Sequence, residues 1–535
     1  MSGKTHLTEK QKDFILRNYN DMSDKRISKE TGASRHAVHE FKQRILSGQE
    51  KAISDQKQKN PEQPAASSLK KNALLAGVLF FTAILIFAFL LRKNTFNLPH
   101  YRGDQHHYAA LAYKLDTYGI KGYNLRGVDL YGSKQHPNLV QIAPAEDKGH
   151  VLKSLEAGNI TYYDEPLHHI PFGFPMALRI SHEIFASGTP YYLLAIPNDS
   201  QIIHQAGPGV GLRKFRFPDD VRGKQFYSVI VPLFFSLLMI CLVFFTAKAL
   251  YSNSAVGLIA MFLMTISPID ILTSQKLWSD DMTSALMLLA VLLYILSLKK
   301  NMLWLAFPGG IACGLSAITK QNGAFIAFVI IAWHFIVNFE DLLKKETFLK
   351  TVFNINLILF GLGILISAGY WFYKVYSVYG SPVYRPHQAN IAETAKTGWF
   401  KMVGSRPKYL YSAGIPYQNP LFGLAYLSPL FYWIDQKFRK ETLLLILWII
   451  IFLFIFQVYL GGGGKEHRYM LPAYPAFAIL GAYIADKIRV FLDKKIGFYT
   501  GTLILIICLG ASAIWSVPMA MDVLFTNGAL IMKPF

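Results

Sequence analysis

A succession of long apolar runs limits what this chain can fold into more than any other feature. They fall near residues 73–91, 226–248, 255–273, 282–298, 302–318, 322–338, 353–375, 420–434, 442–460, 469–485 and 498–516. A helix of about 20 apolar residues crosses the hydrocarbon core with its backbone polar groups satisfied internally. The runs therefore predict an all-α polytopic membrane protein, a bundle of about 11 transmembrane helices. Several runs are short, and the pair at 302–318 and 322–338 reads as a shallow hairpin. Only 16% of the residues are charged, against about a quarter in soluble chains. The first run begins near residue 72, too far along for a cleavable signal peptide. Cys241, Cys313 and Cys508 all lie inside runs, so they specify neither a disulfide framework nor a thiolate metal site.

Net charge is +20, which in a membrane protein reads first as cytoplasmic-loop bias and attraction to anionic headgroups. The arm before the first run is lysine-rich and short enough for the positive-inside rule, which predicts a cytoplasmic N-terminus. Eleven spans then put four further clusters on the same side: Lys299-Lys300, Lys344-Lys345, Lys437 with Arg439-Lys440, and Lys487 through Lys495. The opposite, non-cytoplasmic face receives a long polar excursion at 93–225, together with 270–281, 320–322, 376–419 and 461–469. This is the pattern of a multi-pass protein of the cell (cytoplasmic) membrane.

Residues 1–50 are polar and helical in pattern. Ile27, Val38, Phe41 and Ile45 offer a small core, Gly32 a tight turn and Ser34 an N-cap. The stretch resembles a helix-turn-helix module, with Arg35, His36, Glu40 and Lys42 on the would-be recognition helix. Fifteen basic against nine acidic residues across 1–71 is too small a surplus to require nucleic acid, which would bind through 1–50 only. Residues 51–71 read as a linker, and 72–535 as the membrane domain.

The candidate chemistry lies on the non-cytoplasmic side. Asp104, in Tyr101-Arg102-Gly103-Asp104, precedes Tyr108, Leu111, Ala112, Leu115 and Tyr118 at helical spacing, so it sits at the start of an amphipathic segment suited to a lipid surface. A capping carboxylate and a catalytic one both fit that position. Asp164 and Glu165, followed by His168 and His169, have the donors of a divalent-cation site or of a polar loop at the bilayer. The segment after them, with Phe174, Leu178, Ile184 and Phe185, reads as a second interfacial helix. Asp280 and Asp281 open a span, as helix caps or as the wall of a polar substrate cavity. Lys320 sits in a short turn between two spans, where it can snorkel to headgroups or neutralise a phosphate. Lys465, His467 and Arg468 follow four glycines and enter the outer end of an apolar helix. A guanidinium can grip a phosphate bidentately, which favours Arg468 among them.

The order of these motifs resembles the GT-C superfamily of polyprenyl-phosphate-sugar glycosyltransferases. An acidic residue after the first span, an acidic Pro-containing stretch, Ser279-Asp280-Asp281, Leu315-Ser316-Ala317-Ile318-Thr319-Lys320 and Arg468-Tyr469-Met470-Leu471-Pro472 come in sequence across residues 72–490. The nearer resemblance is to protein O-mannosyltransferases and to the lipid A aminoarabinose transferase. It departs from the first in having Asp104-Gln105 for Asp-Glu, and from the second in having Asp164-Glu165-Pro166-Leu167 for Glu-Lys-Pro-Pro. The resemblance implies a GT-C-like bundle, a polyprenyl-phosphate sugar as donor, and a glycan, lipid or protein as acceptor. It implies Asp104 at the catalytic centre and maps Lys320 and Arg468 onto the family's Thr-Lys and Arg-Tyr-Leu-Pro motifs; by their charge these two are the candidates for the donor phosphate, with His467 and Lys465 in reserve. The carboxylates themselves, apart from the resemblance, allow a divalent cation, and no other cofactor is indicated. Two other classes fit parts of the pattern: a transporter or flippase for a lipid-linked saccharide, and a membrane-tethered DNA-binding regulator. The first would show internal repeats and charges near the midplane, whereas here the charges cluster at one end.

Overall fold

The computed structural model describes residues 7–18, 22–46, 64–93, 108, 111–113, 115–116, 119–120, 128–132, 139–144, 161–163, 170–188, 192–194, 219–380, 410–459, 467–497 and 499–526. The chain divides into two units, Met1–Leu79 and Phe80–Phe535.

In the first unit α1 (Glu9–Asn18), α2 (Asp24–Thr31) and α3 (Arg35–Leu46) enclose Ile15, Ile27, Ala33, Val38 and Phe41. The local signals act as expected. Thr8 and Gln11 bond reciprocally as a capping box. Gly32 ends α2 with φ +68°, and Ser34 Oγ accepts the Ala37 N–H (3.2 Å). Lys42 does not project freely from α3: it pairs with Asp24 (3.0 Å), which also holds His39 (2.8 Å).

The first long apolar helix is α4 (Pro64–Arg92). The excursion after it adds a four-stranded antiparallel sheet to the helical fold, in the order β3-β1-β2-β4: β1 (Val128–Gly132), β2 (Leu139–Pro144), β3 (Thr161–Tyr163) and β4 (Tyr192–Leu194). Val128, Leu130, Leu139, Val140 and Ile142 supply the β-branched and apolar residues that favour it. α5 (Gly173–Ala186) lies between β3 and β4 in sequence. Its Phe174 and Leu178 are buried, while Ile180, Ile184 and Phe185 remain exposed. The apolar face expected to carry Tyr108, Leu111, Ala112 and Leu115 to a lipid surface is instead packed in the protein, in one cluster with Phe174, Leu178, Ile318 and Trp371.

The main helices that follow are α6 (Asp219–Tyr251), α7 (Ser254–Thr265), α8 (Pro268–Thr273), α9 (Asp280–Lys299), α10 (Ala306–Thr319), α11 (Phe325–Val337), α12 (Ile355–Tyr379), α13 (Leu410–Gln418), α14 (Arg439–Leu453), α15 (Tyr474–Ile496) and α16 (Thr500–Thr526), with short helices at Phe339–Leu342, Lys345–Val352 and Ser428–Ile434 between them. The apolar runs of the sequence lie largely on helix, and six helices among the described residues are long and apolar enough to cross a membrane. The run at 255–273 is broken in two. Pro268 has no N–H to continue α7 and holds Ser267 extended (φ −65°, ψ 118°). α10 and α11 are short and joined by a tight 3-10 turn at Gln321–Ala324. Glycines let the backbones of α10 and α12 touch: a Cβ on Gly310 would overlap the Phe360 carbonyl, and one on Gly363 the Phe307 carbonyl. Close approach through small residues is how helices associate where lipid removes the hydrophobic drive.

Candidate functional site

The site is assembled from helix ends. α9 begins at Asp280 and Asp281, so its first-turn N–H groups and dipole favour carboxylates there. Successive helical residues point about 100° apart, and the two carboxylates face different partners. Asp280 Oδ1 accepts from Lys320 Nζ at 2.6 Å, and its Oδ2 lies 3.6 Å from Arg468 Nη1. Asp281 turns inward, where Oδ1 accepts from Thr273 Oγ1 (2.9 Å) and the side chain meets that of Asp270. Both were expected to line a polar cavity, and it is Asp280 that meets the cations.

Lys320 is delivered by the end of α10. The helix stops there, with Lys320 extended (φ −154°, ψ 134°). The turn is compact because Gly323 lies directly on Ser316, where a Cβ would overlap the Ser316 backbone. Ser316 Oγ in turn donates to the Thr283 carbonyl of α9 (2.9 Å), fixing this turn against the helix that carries Asp280. The lysine is therefore held in the protein, with 19% of its side chain exposed, rather than reaching for headgroups.

Arg468 lies in the 3-10 turn His467–Ala473 that precedes α15. Its guanidinium stacks 4.1 Å from the Trp278 ring and 5.1 Å from that of Tyr469, and Lys320 Nζ sits 4.5 Å from the Tyr469 ring. Aromatic faces of this kind hold a cation in place without neutralising it. Two cations thus share the Asp280 carboxylate, a charge balance that favours an incoming anion. Tyr108 joins the same end of the bundle through a hydrogen bond between its hydroxyl and Ser279 Oγ (2.8 Å).

His467 is buried beside them, its ring edge-on to Tyr411 at 5.5 Å and packed on Gly414, where a side chain would collide with it. Burial pushes the imidazole down to about 4, so it is neutral at physiological pH and offers a hydrogen bond rather than a charge. Asp104, Asp164, Glu165 and Lys465 lie outside the described residues. No group of three or more His, Cys, Asp or Glu among the described residues could hold a metal ion.

Three buried residues of this end were not singled out from the sequence. Asp270 is an acid inside an apolar run, which is itself a signal of function. Arg92 reads as an interfacial flank of the first span, yet it is fully buried and bonded to Asp270. Lys276 lies in the loop before Trp278, where burial lowers its ammonium to about 7.

No family model matches the chain, and the search of curated proteins finds no match. Among solved structures, the chain is similar to the oligosaccharyltransferase of Archaeoglobus fulgidus in its apo form, at 12% identity and a TM-score of 0.48, over 84% of this chain and 56% of that one. It is similar to the same organism's AglB in complex with an inhibitory peptide and a dolichol-phosphate, with the same identity, TM-score and coverage. A third is ArnT from Cupriavidus metallidurans bound to undecaprenyl phosphate, at 12% identity and a TM-score of 0.46, over 84% and 75% of the two chains. The chain spans little more than half the length of the oligosaccharyltransferases.

Proposed function

We propose that this protein is a membrane glycosyltransferase of the GT-C kind, moving a sugar from a polyprenyl-phosphate donor to an acceptor hydroxyl on the non-cytoplasmic face. One observation carries the reading. Lys320 and Arg468, the candidates for the donor phosphate, are 148 positions apart in sequence and converge on Asp280 at one end of the bundle. Phosphate oxygens entering there would take up the two cations that Asp280 holds in readiness.

In the proposed step, the acceptor oxygen attacks the anomeric carbon as the bond from that carbon to the phosphate oxygen breaks. The bonding pair leaves on the lipid phosphate, and the hydroxyl proton passes to Asp104. A single displacement inverts the anomeric centre. Negative charge grows on the departing phosphate, so cations fixed beside it stabilise the transition state more than the ground state. Asp104 stands four residues before Tyr108, a separation that extended backbone spans in about 14 Å. Asp164 and Glu165 are proposed for the acceptor or sugar, or for a divalent cation. Lys465 and His467 support the donor site, His467 as a neutral donor. An N-terminus in the cytoplasm and the non-cytoplasmic position of the site follow from the lysine clusters.

The test is incubation of the purified full-length protein with radiolabelled polyprenyl-phosphate sugars, with and without chelator, scoring transfer and hydrolysis. Release or transfer of label that is lost in Lys320→Met supports the reading. A protein that binds the lipid and leaves every sugar intact overturns it.

A further inference from the structure

Arg92 is the last residue of α4 and has no exposed surface. Its Nε donates to Ser236 Oγ (2.8 Å), Nη1 to the carbonyls of Ala88 (3.0 Å) and Thr265 (3.2 Å), and Nη2 to Asp270 Oδ2 (2.5 Å). Ser236 Oγ donates in turn to Asp270 Oδ1 (2.8 Å). Gln275 adds a second tie, with Nε2 bonded to the Ile271 carbonyl (2.9 Å) and 3.5 Å from that of Leu91. The final turn of α4 is thereby bound to α6, to the end of α7, to α8 and to the turn after it. On its far side Asp270 meets Asp281, whose neighbour Asp280 holds Lys320 and Arg468.

Bundle stability does not account for such a pair. Removing two charges from water is costly, and apolar residues of similar volume often replace a buried ion pair with no loss of stability. What the pair does provide is registration. Arg92 stands immediately before the excursion that carries Asp104, and Asp270 is in contact with the Asp280–Asp281 end of α9. We infer that the Arg92–Asp270 pair is a positioning element, which holds the root of the excursion in register with Asp280, Lys320 and Arg468. In its kinetic form this rests on the glycosyl-transfer reading.

The test uses the full-length protein and pairs Arg92→Met with Asp270→Leu, so that no orphan charge is buried. The expected double variant melts within a few degrees of wild type and keeps its donor KM within about threefold, while kcat falls by about 10–100-fold. Arg92→Lys, which keeps the charge and loses the fork, should fall between the two. A folded double variant with wild-type kcat overturns the inference. Should the double variant fail to fold, Arg92→Gln paired with Asp270→Asn keeps closer to the native shapes, again buries no orphan charge, and is read in the same way. Hydrogen exchange across residues 88–93 gives a measure independent of chemistry: it should quicken in Arg92→Gln/Asp270→Asn at unchanged melting temperature, and unchanged exchange overturns the inference. A wild-type protein that transfers no sugar counts against the transfer reading, and the exchange arm then decides the positioning role alone.

Discussion

Replacing Lys320 with methionine removes one of the two cations on Asp280 while keeping most of the length of the side chain. Two unit charges about 4 Å apart interact by about 4 kcal/mol at an effective dielectric of 20, which is close to a thousandfold in rate. Arg468 stays beside the vacated position, and its guanidinium can take part of the load, so the expected loss of kcat/KM is about 10²–10³-fold. The same change also leaves the Asp280 side chain, which is 1% exposed, to Arg468 at 3.6 Å. Breaking a buried pair from one side costs about 3–5 kcal/mol of stability, which would itself depress activity. Asp280→Asn in the same chain separates the two effects, because it removes the orphaned charge. The double variant should recover its melting temperature in detergent while transfer from a polyprenyl-phosphate sugar stays at least about a hundredfold down. Asp280→Asn alone leaves two cations without their counterion and should lower the melting temperature, but per folded molecule its turnover should remain within about tenfold of wild type, since that carboxylate holds cations and takes no proton. Recovery of transfer in the double variant would refute the reasoning: Lys320 would then be nothing more than the counterion of Asp280.

Other expectations follow from the same geometry. Arg468→Lys keeps a charge but loses both the fork and the stack on Trp278, and should raise the donor KM by about tenfold in steady-state assays. Asp104→Asn should lower kcat by about 10²–10⁴-fold without changing lipid binding, and near-normal turnover would remove its assignment as base. Gly323→Ala forces a Cβ into the Ser316 backbone, and a thermal scan should show a loss of about 1–3 kcal/mol together with weaker donor use. In the N-terminal unit, hydrogen bonds from His39 and Lys42 hold the Asp24 carboxyl below its ordinary value. That contribution is complete above the ordinary carboxylate range and disappears as the pH falls through the lowered folded value. Exchange protection of residues 24–46 should therefore weaken on acidification, and Asp24→Asn should abolish that dependence.

What could be read in advance divides by range along the chain. Local signals carried through: the apolar runs lie largely on helix, and Ser34 caps as its position implies. Pro268 is the instructive exception, because hydropathy continues across it while its missing N–H splits the run into α7 and α8. Strands β1 to β4 were illegible because their signal is not local. Short alternating segments in a polar excursion carry little periodic pattern, and their pairing joins residues as distant in sequence as Leu139 and Leu194.

The candidate site shows the same limit in sharper form. Lys320 is compatible with a headgroup contact and Arg468 with any phosphate, and nothing in either neighbourhood names Asp280 as the shared partner. Asp280 and Asp281 are adjacent and chemically identical, yet the step of about 100° between helical neighbours sends one to the cations and the other to Thr273. Arg92 is the extreme case. By sequence it is a basic residue flanking a span, and in the bundle it is a buried partner for an acid 178 positions later. Charge at the end of an apolar run therefore has two physical outcomes, solvation by headgroups or burial against an acid carried by another helix. Asp270 decides between them, because an ionised carboxylate inside an apolar run must find a cation within the protein. A lone acid in one run and a lone arginine at the mouth of another are thus better read together than apart.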